Sequence, residues 1–358
     1  MMQSETIPGR VPLMALAMLS LLVALWAALV RIGWGLPAPI SIVGQHGPLM
    51  IAGFLGTLVS LERVTALRWR WAYAVPLLSG LGAIGLAIGL PPAIGRGLIT
   101  FGSLGLSIMF ALMIRMRPAA YVVTMALGAL MWLAGNLLWC FDWRPIAYAA
   151  PWWAGFLILT IAGERLELAR VMMPGRASRI AFVLVAGAFL AGLFISLVDL
   201  RMGMAVGGIG LIALGAWLIR NDIARRTIRK TGLTRFIAAC LLPGYLWLIA
   251  GGALWLAIGG TRTAGLLYDA MLHSLFLGFV FSMIFGHAPI IIPAVMPIDV
   301  AYRPLFYIHL ALLHASLVVR VTGDLTNTIP LRMWGGLFNV IAILIFLGMM
   351  ARSARRRR

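Results

Sequence analysis

LHSLFLGFVFSMIFGHAPIIIP, residues 272–293, holds His273 and His287 but no Lys, Arg, Asp or Glu. An uncharged apolar run of this length crosses a bilayer as a helix, because lipid offers the backbone no hydrogen-bond partners except its own. Working outward, similar runs recur from end to end, at about 11–31, 40–61, 71–90, 96–114, 119–140, 146–164, 180–199, 202–219, 236–259, 264–288, 304–320 and 331–350. The chain is 62% hydrophobic and 11% charged, whereas a soluble domain is roughly a quarter charged. The expectation is an all-α polytopic membrane protein: one integral domain over residues 1–358, twelve transmembrane helices, and a basic tail at 351–358. No small-residue cleavage site follows the first apolar run, which therefore reads as a retained helix.

The net charge of +19 is unevenly placed. With the N-terminus inside, one face holds 22 of the 29 basic residues and the other only Arg31, Arg96, Arg144, Arg201, Arg262, Arg320 and Arg332. That asymmetry places both termini in the cytoplasm. It makes anionic membrane lipid the natural partner of the basic segments and argues against nucleic acid. Cys140 and Cys240 fall near opposite faces, so no disulfide is expected between them.

All five histidines, His46, His273, His287, His309 and His314, lie in expected spans. Ionisable groups at membrane depth are costly and tend to mark function. His46 comes six residues into the second span and His273 nine into the tenth, or ~9 Å and ~13 Å of helix, so the two can meet at one level. Facing imidazoles from two helices are the way a bundle holds a low-spin haem. His287 follows His273 by fourteen residues, which puts it ~40° away around a regular helix and ~21 Å along it. With His309 it forms a candidate second site for copper or a second haem. Pro289, Pro293 and Pro297 break the helix just beyond His287, so capping of freed carbonyls is the alternative for that imidazole. His314, rotated ~140° from His309, reads as structural first and as a metal ligand second.

Asp269, one turn before His273, can orient that ring. Arg320, at the outer end of the eleventh span, reads either as a partner for haem propionates or as a plain interfacial arginine. The charges of GERLELAR (163–170) and of Glu62–Arg63 read as solvated helix ends.

GQHGPLMIAGF, residues 44–54, contains H-G-x-x-M from His46 to Met50. It resembles the second helix of haem–copper oxidase subunit I, a family of twelve core helices with both ends inside. The resemblance implies a haem–copper oxidase-like bundle, with His46 and His273 as ligands of a low-spin b-type haem. The tenth and eleventh spans, with Gly286-His287-Ala288-Pro289 and then Val-Val-Arg-Val at 318–321, look more like the NnrS family. That family comprises bacterial haem-containing membrane proteins of the nitric-oxide response. The resemblance implies a cytoplasmic (inner) membrane protein of nitrosative-stress tolerance or membrane electron transfer, with nitric oxide, quinol or a redox protein as partner. Departures limit it. The oxidases carry a second histidine two residues from the one on helix ten, where this chain has Met271 and Leu275, and copper ligands on helices six and seven, where it has no histidine. An oxygen reductase is not expected. The alternatives are a histidine-lined metal or proton transporter, and an assembly factor for a respiratory complex.

Overall fold

The computed structural model of the chain describes residues 9–172 and 175–356. It is a bundle of α1 (Arg10–Arg31), α2 (His46–Leu67), α3 (Trp71–Ala87), α4 (Pro92–Met116), α5 (Ala120–Cys140), α6 (Ile146–Ala169), α7 (Arg176–Ile195), α8 (Leu200–Asn221), α9 (Gly232–Ile258), α10 (Leu266–Val295), α11 (Phe306–Leu325) and α12 (Ile329–Ser353). Among the described residues, eleven of these helices are long and apolar enough to cross a membrane, and α3 is a shorter apolar helix. Consecutive helices pack against one another, as short connections dictate, and α1 also meets α3. Both cysteines are free.

The two described ends of the chain lie at one end of the bundle. Arg10 donates to the Val295 carbonyl at 3.4 Å and to the Tyr73 hydroxyl at 3.2 Å. Beyond α10, strand β1 (Ile298–Val300) pairs antiparallel with β2 (Ala354–Arg356), with Asp299 opposite Arg355. The basic tail is therefore tied down as far as Arg356, and residues 357–358 lie outside the described residues. At its other end α3 brings Gly89 beside Ser41, at the far end of the bundle from Arg10.

Two expectations about helix ends need correction. The second long helix begins at His46 rather than at residue 40, because Ile40–Val43 is a separate short helix followed by a turn at Gly44–Gln45. Pro48 explains the start: lacking an N–H, proline belongs in a first turn, where that donor has no partner anyway. His46 is thus at the head of α2, not two turns inside it. Conversely, Pro289 and Pro293 do not end α10, which runs through both to Val295. The carbonyls they free are tolerated where neighbouring helices cover them.

Immediately after His46 and His273 the winding loosens. Leu49–Gly56 in α2 and Ser274–Phe281 in α10 are both π-helical, eight residues each. Such segments are rare and concentrate at functional sites. Phe54 and Phe281, each eight residues beyond its histidine, also meet, with ring centroids 6.1 Å apart. The two histidine helices therefore run side by side in matched register. Because π winding turns and rises less per residue, the regular-helix estimate relating His273 to His287 fails.

The α7–α8 crossing depends on bare backbone. A Cβ on Gly192 would strike the backbone of Gly207, and one on Gly203 would strike that of Ser196. Small residues let membrane helices approach to this distance. No side-chain rotation relieves a clash with backbone, so Gly192→Ala is expected to lower stability by ~1–3 kcal/mol. A thermal melt in detergent that matches wild type would show that the helices can separate freely.

Candidate functional site

At the end of the bundle away from the termini, α1, α2, α6, α10, α11 and α12 surround an open cavity. Its walls are largely apolar, with Met50, Ile51, Trp153, Leu272, Phe276 and Ile343 among them. Trp153 is held by a bond from its Nε1 to Asn136 Oδ1 at 2.9 Å. Polar groups converge from four helices: His46, Asp269 with His273, Arg320, and Arg332, together with Arg31 at the end of α1.

His46 and His273 face each other with ring centroids 6.2 Å apart and planes 15° from parallel. An imidazole nitrogen sits ~2 Å from a bound metal and ~1 Å from its own ring centre, so imidazoles on opposite sides of one metal have centroids ~6 Å apart. The observed pair has that spacing. Each ring is also oriented by its other nitrogen. His46 Nδ1 donates to the Ala24 carbonyl at 2.9 Å, and His273 Nδ1 to that of Asp269 at 2.9 Å. A carbonyl only accepts, so both protons sit on Nδ1 and both Nε2 atoms carry the lone pair. The His273 Nε2 lone pair is taken by Arg320 Nη2 at 3.2 Å.

The Asp269 carboxylate is only a minor partner of His273, at 3.4 Å from Nδ1. It binds Arg320 instead, at 2.9 Å to Nε and 2.8 Å to Nη2, and lies 3.6 Å from Arg332. Arg332 in turn pairs with buried Asp324 at 3.0 Å. The interfacial reading of Arg320 does not hold. The α11 helix runs on to Leu325, and Arg320 is only 5% exposed, inside the bundle. Arg31, Arg332 and Asp324 were not singled out from sequence. Nothing in a loop-end arginine or aspartate shows that the fold turns it toward a site.

The second histidine pair is not assembled. His309 is fully buried among Phe285, Phe346, Phe306 and Phe236, with its Nδ1 3.4 Å from Met349 Sδ. His287 is not among its ring neighbours. It donates from Nδ1 to its own-helix Met283 carbonyl at 2.6 Å, not to a carbonyl freed by proline. His314 lies outside the cavity of His46 and His273, with its Nδ1 engaged by Trp247 Nε1 at 3.1 Å and its Nε2 by Ser282 at 3.3 Å. Among the described residues no three or more His, Cys, Asp or Glu side chains converge as a bare-metal site. The solvated-end reading of GERLELAR holds for exposed Glu167 and Arg170 but not for Arg165, which is 3% exposed and lies 4.0 Å from buried Asp222. Arg63 reaches across to Glu164 in the same region.

No curated protein matches the chain. A family described as Domain of unknown function (DUF8744) matches residues 10–355. With nearly its whole length covered by that match, this histidine-paired membrane bundle belongs to the DUF8744 family.

Proposed function

We propose that the cavity holds one b-type haem between α2 and α10, which His46 and His273 would bind through their imidazoles. The chain would then serve membrane electron transfer or tolerance of nitric oxide and nitrosative stress. The observation that supports this reading is the near-parallel imidazole pair at the spacing of one metal. When bound, haem supplies reversible one-electron chemistry. The protein's own residues do the rest. The Ala24 and Asp269 carbonyls hold the two rings in the ligating tautomer. Arg31, Arg320 and Arg332 exceed Asp269 and Asp324 by one positive charge at the cavity, which suits a ligand bearing carboxylates. Trp153 and Phe276 make part of the wall apolar. With both histidines holding it, such a group would favour electron transfer over turnover of a gas. The nitric-oxide role rests on the motif likeness to NnrS alone, and a quinol or redox protein would be the electron donor. In this reading the chain crosses a bacterial cytoplasmic membrane twelve times, counting α3, with both termini inside.

The test is the optical spectrum of protein purified from haem-supplied cells. The expected result is a low-spin b-type signature in the reduced-minus-oxidised difference, with a pyridine haemochrome confirming the haem type. A colourless protein overturns the reading.

A further inference from the structure

Toward the opposite end of α10 from His273, neighbouring helices carry four polar side chains: Arg165 near the end of α6, Asp222 just after α8, Tyr245 in α9 and His287 in α10. Arg165 Nη1 lies 4.0 Å from Asp222 Oδ2, with both side chains almost fully buried. The Tyr245 hydroxyl approaches Asp222 and Arg165 closely enough to feel both charges, yet meets the geometry of a hydrogen bond to neither. His287 lies within electrostatic range of Arg165. Close by in the chain, Glu164 takes Arg63, which also pairs with Glu62 at 3.4 Å.

Four polar atoms in this group are buried without a protein partner: Arg165 Nε, Asp222 Oδ2, the Tyr245 hydroxyl and His287 Nε2. Asp222 Oδ1 is already used by the Ala224 N–H at 2.7 Å, and His287 Nδ1 by the Met283 carbonyl. The orphans are therefore two donors and two acceptors, since His287 carries its proton on Nδ1. Leaving one such group dry is costly, and each further one on the same packed helices adds to the cost. A guest that satisfies all four must both donate and accept, and must be small enough for a closely packed helix end. Water meets both conditions.

We propose that Arg165, Asp222, Tyr245 and His287 enclose an ordered water cluster that exchanges with the bulk and forms a proton-holding site at the terminal end of the bundle. A carboxylate, a phenol and an imidazole joined by water are the groups from which membrane proton relays are built. This inference does not depend on haem in the opposite cavity.

The experiment is hydroxyl-radical footprinting by X-ray radiolysis of the full chain in lipid nanodiscs, read by mass spectrometry after rapid mixing into heavy-oxygen water. A side chain without bulk exposure is labelled only where a water lies against it. Tyr245, Phe236 and Phe285 are all fully buried, so the two phenylalanines serve as dry internal controls. Heavy-oxygen label on Tyr245, with both phenylalanines silent, is expected. A Tyr245 as silent as the phenylalanines overturns the site. Labelling with only the original light oxygen means trapped water and overturns the exchange. The variant Arg165→Met with Asp222→Leu removes the ion pair as a unit, a change that folds tolerate better than loss of one partner. It is expected to lose the Tyr245 label, and full labelling there would overturn the assignment to these residues. If that variant does not fold, the wild-type comparison still decides.

Discussion

His46→Ala and His273→Ala are each expected to abolish the low-spin haem signature of the purified protein, while His287→Ala, His309→Ala and His314→Ala leave it in place. The two sets differ in where the rings lie. His46 and His273 line one cavity, at a spacing that a single metal spans. His314 is bonded to Trp247 and Ser282, His309 sits in a cage of phenylalanines, and His287 lies toward the other end of α10, none of them lining that cavity. Even an outer partner of a metal ligand contributes ~10–100-fold in affinity, so loss of a residue that would hold the haem directly should remove the signature. The measurement is the reduced-minus-oxidised spectrum, normalised to protein. A complete low-spin signal in His46→Ala would show that the haem binds elsewhere.

Asp269→Ala is expected to be the most destabilising single change at the cavity. The carboxylate is the common partner of Arg320 and Arg332 and touches His273. Removing it leaves Arg320, almost fully buried, without its counter-charge. Breaking a buried pair from one side costs ~3–5 kcal/mol, whereas replacing both partners by apolar residues is often nearly neutral. Asp269→Ala should therefore lower the unfolding midpoint in detergent markedly, and adding Arg320→Met should restore part of the loss. Equal stability of wild type and Asp269→Ala would mean that water already screens the pair. A double variant worse than the single would mean that Arg320 acts mainly by packing.

The membrane class and the two principal histidines were legible because they depend on local properties. An uncharged apolar run must become a helix in lipid whatever its neighbours do, and a histidine inside one is conspicuous against that background. Helix ends were less legible. Pro48 marks a start, but Pro289 and Pro293 are stops only where nothing covers the freed carbonyls, and that depends on packing. The π segments were not legible either, so a regular-helix projection misjudged how His287 stands to His273.

Charges were the hardest to read. Arg165 and Arg63 looked like ordinary solvated helix ends, and Arg320 like an interfacial anchor, because each sits where positive residues normally end a span. Only tertiary structure supplies the Asp222 opposite Arg165, the Glu164 opposite Arg63 and the Asp269 opposite Arg320. By itself the amino-acid sequence determined that this chain is a many-helix membrane bundle with histidines at membrane depth, since burial in lipid acts on each segment alone. Which imidazoles share a cavity, and which arginines are held inside, was decided by packing between helices distant in the chain, where partners separated by tens to hundreds of residues meet at a few ångströms.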